Sequence, residues 1–156
     1  MMILVTGGTG LLGSHVLFEL AKEGKEVRAI KRKSSDTEKV RKIFSYYSED
    51  PDLLLRRINW FDADLLDFGA IEDALDGVTE VYHVGAVVSY YPKDHKTMLK
   101  VNIDGTANLV NLSLKKGVRK FCYVSSIASI GCGLNGNLTS EEDYFVTSSK
   151  NTIYNC

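Results

Sequence analysis

Three glycines at three-residue spacing, Gly7, Gly10 and Gly13, form the first chemistry-bearing pattern in the chain. With Gly8 they give two overlapping motifs, T-G-x-x-G-x-x-G from Thr6 and G-x-G-x-x-G from Gly8. An apolar β-run, Ile3-Leu4-Val5, enters the cluster and an apolar helical pattern leaves it. In that context the glycines have separate physical roles. Gly7 and Gly8 allow a tight strand-to-helix turn with positive φ. Gly10 has no Cβ, so a pyrophosphate can approach the backbone, and Gly13 lets the helix pack close on the strand. The backbone N–H groups of Gly10, Leu11 and Leu12, together with the helix dipole, then favour a phosphate anion. The ligand this pattern implies is a dinucleotide.

Other polar residues can be weighed against that ligand. The second β-run ends in Ile30-Lys31-Arg32-Lys33, where a dinucleotide's adenosine ribose would lie. No carboxylate falls in this window to select a free 2′-hydroxyl, and Arg32 suits a 2′-phosphate. NADP is therefore expected in preference to NAD. Asp62-Ala63-Asp64-Leu65 closes the third β-run, and one carboxylate there can accept the adenine amino group. Asp62 and Asp64 both stay open as that acceptor. No third ligand lies near these carboxylates in sequence, so no metal site is expected. His83 reads as a strand-end histidine beside the cofactor, because no acid is arranged around it as a triad would require. Asn102 lies in Val101–Asn108, a poor helix sequence that implies either a kink or polar groups wanted inside. Ser126 stands just past a β-run, Lys120–Val124. It lacks the G-x-S-x-G elbow of a nucleophile and reads as a hydrogen-bonding serine.

The elements that must position these residues follow from periodicity. β-runs are expected at about 2–6, 27–30, 58–63, 80–84 and 120–124. Helices are expected at about 11–22, with Leu12, Val16, Leu17 and Leu20 as the apolar face, then at 36–47, 68–75 and 94–116. Ser35 or Asp36 would cap the second, and Pro51 would break the pattern after it. Residues 125–153 read mostly as loop. Strands alternating with helices imply an α/β fold: a Rossmann-type, doubly wound parallel sheet in the order 3-2-1-4-5. Its ligand belongs outside the carboxyl ends of strands one and four.

Composition narrows the classes further. The chain has 156 residues, 44% hydrophobic and 25% charged, which suits one globular domain. Its net charge of −1 offers no electrostatic case for nucleic acid or an anionic membrane. Cys122, Cys132 and Cys156 have no metal spacing, and with a β-run expected from residue 2 no signal peptide is expected. A cytoplasmic protein is expected.

Taken together, these motifs resemble those of the extended short-chain dehydrogenase/reductase family. The likeness rests on Thr6–Gly13, Asp64-Leu65, His83-Val84-Gly85-Ala86, Val101–Thr106 and Val124-Ser125-Ser126. Within the family the chain is most similar to dihydroflavonol reductase-like and NAD-dependent epimerase/dehydratase proteins. The resemblance implies cofactor contacts at Asp64, Leu65, Val84, Gly85 and Ala86. It also implies a catalytic Ser–Tyr–Lys set acting on a small-molecule ketone or secondary alcohol. Ser126 matches the serine. Tyr154 fits the start of the Y-x-x-x-K motif, whose lysine would be residue 158, whereas Tyr144 and Val146 fail at one position each. Tyr154 would be the general acid/base, and Asn102 would support a water-linked proton relay. The family's usual H-x-A-A is H-V-G-A here, which implies extra backbone freedom at Gly85. On this resemblance the chain is expected to be an N-terminal piece, truncated before the substrate domain and inactive by itself, of a homodimeric parent.

Overall fold

The computed structural model describes residues 1–126 together with Ser129 and Ser140. Five parallel strands form one sheet: β1 (Met2–Thr6), β2 (Glu26–Lys31), β3 (Ile58–Asp62), β4 (Val78–His83) and β5 (Lys120–Tyr123). Their order is β3-β2-β1-β4-β5, the order read from the alternation of patterns. The pairing runs from Met2 opposite Glu26 on one side of β1 to Thr6 opposite His83 on the other. β4 begins earlier than expected, because its register with β1 shifts between Met2 and Ile3.

Side chains of a strand alternate between faces, so β1 feeds two cores. Ile3 and Val5 pack with Leu17, Phe18, Val27, Val40 and Phe44. Leu4 packs with Ile71, Leu75, Val81, Leu109 and Leu112 on the other face. The first face is covered by α1 (Leu11–Lys22) and α2 (Glu38–Ser45), the second by α4 (Phe68–Ala74) and α6 (Thr106–Lys115). Arg28 on β2 reaches across to the end of α4, donating to the carbonyls of Ala74 and Asp76 at 2.7 and 2.9 Å. A cation there satisfies carbonyls that the helix itself leaves open.

Three local expectations are corrected. Pro51 does not merely interrupt: it opens a short helix, α3 (Pro51–Leu55), whose cap is Asp50, accepting from the Leu53 N–H at 3.1 Å. Proline is favoured in a first helical turn, where its missing N–H costs nothing. The second helix is shorter than 36–47. Asp36 accepts from the Glu38 N–H at 2.9 Å, but the cap position itself falls to Thr37. The segment 94–116 is not one regular helix. It runs as a 3₁₀ turn (Pro92–Asp94), α5 (His95–Leu99), a wide π-helical turn (Lys100–Gly105) and then α6. The weak helix formers Asn102, Asp104 and Gly105 all lie in the wide turn.

Candidate functional site

The carboxyl ends of β1 and β4 open a cleft of about 570 Å³ where the strand order reverses. Open parallel sheets place ligands at such switch points. The glycine turn forms one wall. Gly7 has φ +69°, and a Cβ there would lie 2.7 Å from the Gly85 Cα, so both backbone conformation and space demand glycine. Gly8 does not share the positive φ, correcting the expectation for the pair: its Cβ would meet Leu17 Cδ1 at 2.8 Å. Gly13 is the tightest position, with a Cβ 2.1 Å from the Gly7 carbonyl oxygen. The close packing it allows is against the turn itself rather than the strand.

The N-terminal end of α1 is bare where it meets the cleft. Gly10 is its N-cap, no side chain caps it, and its first turn holds no acidic residue. The Gly10 N–H is not available as expected, because it donates to the Gly7 carbonyl at 2.9 Å. The first backbone bond of the helix runs from Ser14 N–H to Gly10 O at 3.0 Å. The amides of Leu11, Leu12 and Gly13 stand ahead of that bond, where orphan donors and the positive end of the dipole coincide. Leu11 and Leu12 are 77% and 50% exposed and line the cleft. Leu12 is thus not part of the buried face that its periodicity implied.

Arg32, Asp64, Leu65, Val84, Gly85 and Ala86 line the same cleft. Lys31 is held to Asp62 at 2.5 Å, while the exposed Arg32 side chain makes no hydrogen bond or ion pair among the described residues. The two carboxylates go different ways, since Asp64 accepts from the Leu66 N–H at 2.9 Å. Gly85 owes its place to close approach rather than to unusual freedom. Its φ is not positive, and a Cβ would lie 3.0 Å from Thr6 Oγ1. Sequence reasoning missed Thr9, Ser35, Val87, Thr97 and Val101, which also line the cleft. Ser35 carried a signal, standing in the loop after the basic run. Val101 opened a stretch already singled out as poor helix sequence, and Thr97 carried no signal, because only the fold brings the long helical segment there.

Asn102 is outside the cleft lining and holds the loop that follows β4. Its Oδ1 accepts from the Val87 N–H at 2.8 Å and its Nδ2 donates to the Val87 carbonyl at 2.9 Å. Both ends of the amide are engaged by one backbone unit, which makes it a clamp on the loop. Ser126 is half-buried beyond β5, and its carbonyl accepts from the Ser129 N–H at 3.0 Å. Tyr154, Tyr144 and Val146 lie outside the described residues.

His83 is 1% exposed and sits under Phe121 and Tyr123 of β5. Its Nδ1 is 2.7 Å from Thr6 Oγ1 and its Nε2 is 2.9 Å from Thr106 Oγ1. Thr6 Oγ1 also accepts from the Gly85 N–H at 3.0 Å. The Thr6 hydroxyl can then donate to Nδ1, which puts the ring proton on Nε2 to donate to Thr106. Burial pushes the imidazole pKa down to about 4, so the ring is neutral near pH 7.

Fold and cleft together define a Rossmann-type domain with a glycine-turn cleft at its switch point. The chain belongs to the NAD dependent epimerase/dehydratase family, which it matches over residues 3–156. It is 31% identical over 137 residues to a putative dihydroflavonol 4-reductase of Synechocystis sp., covering 88% of this chain and 36% of the relative. A short-chain dehydrogenase/reductase superfamily protein from Agrobacterium tumefaciens, solved with bound NAD, superposes with a TM-score of 0.67 at 31% identity. That match covers 84% of this chain and 34% of the other. The UDP-glucose 4-epimerase of Thermotoga maritima, solved with UDP-glucose, gives a TM-score of 0.67 at 27% identity, covering 83% and 39%. The chain thus spans little more than a third of the length of these proteins. Among the described residues no helix is long and apolar enough to cross a membrane.

Proposed function

We propose that this chain is the dinucleotide-binding part of an NADP-preferring oxidoreductase that moves hydride between the nicotinamide and a ketone or secondary alcohol. The observation that carries the reading is the cleft itself. It runs from the uncapped start of α1, past Gly7 and Gly85, to Arg32 at the end of β2. That is the chemistry of a bound dinucleotide: amides for the pyrophosphate and a cation for a 2′-phosphate. Asp64 and Leu65 would meet the adenine, and Val84 to Ala86 the middle of the cofactor. When bound, the nicotinamide supplies hydride chemistry, and the protein supplies position and a proton. Ser126 would hold the substrate oxygen and Tyr154 would exchange its proton, with residue 158 of the whole protein as the supporting lysine. Asn102 would keep the Val87 loop in place beside them. The whole protein would be a homodimer, with the helical segment 94–116 in its interface.

A second reading has a specific observation behind it, the likeness to a UDP-glucose 4-epimerase. There the cofactor would be reduced and reoxidised within one cycle, and NAD would serve. The free Arg32 favours the first reading. Titration of the whole protein with NADPH and with NADH, read by nicotinamide fluorescence, separates them. Tighter binding of NADPH is expected, and abolition of both by Gly10→Val. Preference for NADH would promote the epimerase, and binding that survives Gly10→Val would remove the phosphate site from the glycine turn.

A further inference from the structure

We propose that Thr106 and His83 are positioning residues that set the shape of the nucleotide cleft from behind, through a chain of hydroxyl, imidazole and hydroxyl ending on Gly85. The inference rests on the reading of the cleft as a dinucleotide site, and goes beyond it by assigning control of that site to residues that do not line it. Thr106 opens α6 and bonds His83 Nε2 at 2.9 Å, while His83 Nδ1 meets Thr6 Oγ1 at 2.7 Å. Thr6 Oγ1 in turn takes the Gly85 N–H at 3.0 Å. Thr6 and Gly85 line the cleft; His83 and Thr106 do not.

The bond from the Gly85 N–H to Thr6 Oγ1 has a fixed direction and leaves the Thr6 proton able to donate to Nδ1; in that tautomer the ring donates through Nε2 to Thr106. The last acceptor in the chain is a hydroxyl on the long helical segment. Removing it leaves a buried imidazole N–H without its partner, which costs more than the bond is worth when made. The ring relieves that cost by shifting or by exchanging tautomer, and either response disturbs Thr6 and its hold on Gly85. Gly85 has no slack to absorb the change, since a Cβ on Gly7 would already lie 2.7 Å from its Cα. The wide turn Lys100–Gly105 supplies the anchorage. It also places Asn102 on Val87, and Gly105 against Leu65, whose Cβ would be 3.0 Å from a Cβ at that glycine. One helical segment therefore touches the strand end behind the cleft and two of its lining residues.

The test compares Thr106→Val, which keeps the shape and loses the hydroxyl, with Thr106→Ser, which keeps the hydroxyl. Two quantities are read: the Kd of the whole protein for NADPH and NADH, and amide hydrogen exchange at Gly85 without ligand, with Val5 in β1 as an internal reference. Thr106→Val is expected to weaken dinucleotide binding about fivefold and to speed Gly85 exchange about tenfold, with Val5 unchanged. Thr106→Ser is expected to restore both, and ¹⁵N shifts of the wild-type ring should show the proton on Nε2. Wild-type values in Thr106→Val overturn the proposal, and so does equal damage by both variants, which would mean packing rather than hydrogen bonding. A wild-type protein that binds neither dinucleotide overturns the cofactor reading on its own account, and with it the proposed control of cofactor binding. The exchange rate at Gly85 separately supports or overturns the hydroxyl chain.

Discussion

Acid should destabilise this domain through His83 before its carboxylates respond. The imidazole titrates at about 4 in the folded protein against 6.5 in the unfolded chain. Between those values the unfolded state binds more protons, so stability rises with pH across the window. The stability is fully present above pH 6.5 and is lost as pH falls through 4. A gap of 2.5 units corresponds to about 3 kcal/mol in the acid limit, of which about 2 kcal/mol is already lost at pH 5. The carboxyls of Asp52, Glu72 and Asp76 are also held down, by hydrogen bonds from Arg41, Lys115 and Lys116, but their losses belong to lower pH. The assay is urea unfolding followed by circular dichroism at intervals from pH 5 to 8, on the wild type and on His83→Gln. The variant should start less stable, having lost its fit to Thr6 and Thr106, and should show a flatter profile between pH 5 and 6.5. Equal slopes in the two proteins would refute the reasoning, as would an imidazole seen by NMR to titrate near 6.5 in the folded state.

Other expectations follow from the packing. Gly13→Ala should lower stability by about 2 kcal/mol or more, because overpacking against the Gly7 carbonyl outweighs a gain in helix propensity of about 1 kcal/mol; denaturant midpoints measure it. Gly10→Ala, whose Cβ would meet only the Gly7 oxygen at 3.3 Å, should stay within about 1 kcal/mol of the wild type by the same measurement. Leu4→Ala, at a fully buried position in the centre of the sheet, should cost about 2–5 kcal/mol in the same unfolding experiment. Arg32→Ala should weaken NADPH about tenfold and leave NADH unchanged, as loss of a charge-assisted bond to one phosphate would; parallel fluorescence titrations decide it.

Local pattern made most of the frame legible. Gly7, Gly10 and Gly13 sit between a β-run and a helical run, and right-handed crossovers leave few orders for five alternating strands. What stayed hidden depends on distance or on backbone detail. The bond between Thr6 and His83 joins residues 77 apart, and nothing in the neighbourhood of either announces it. Asn102 stood out only as a poor helix former; its partner, the Val87 backbone, carries no side-chain signature. Gly8 and Gly85 looked like sources of freedom because glycine permits positive φ, yet both are used for space. The start of α3 was masked because Pro51 both ends patterns and begins helices.

A sheet whose strand pairs are all parallel contains no hairpin, and that governs how the chain can fold. Its nearest strand pairing, Met2 with Glu26, already spans a helix, and the central β1–β4 pairing joins Thr6 to His83 across most of the described chain. Non-local contacts of this kind repay the entropy of loop closure only late, which slows folding. During synthesis β1 emerges first but cannot gain its second neighbour until residue 83 has followed it. Until then one side of the most buried strand is an open edge, the condition in which chains associate wrongly. Of the five strands, the one that carries the glycine turn is thus made first and waits longest, from Thr6 to His83, for its second neighbour.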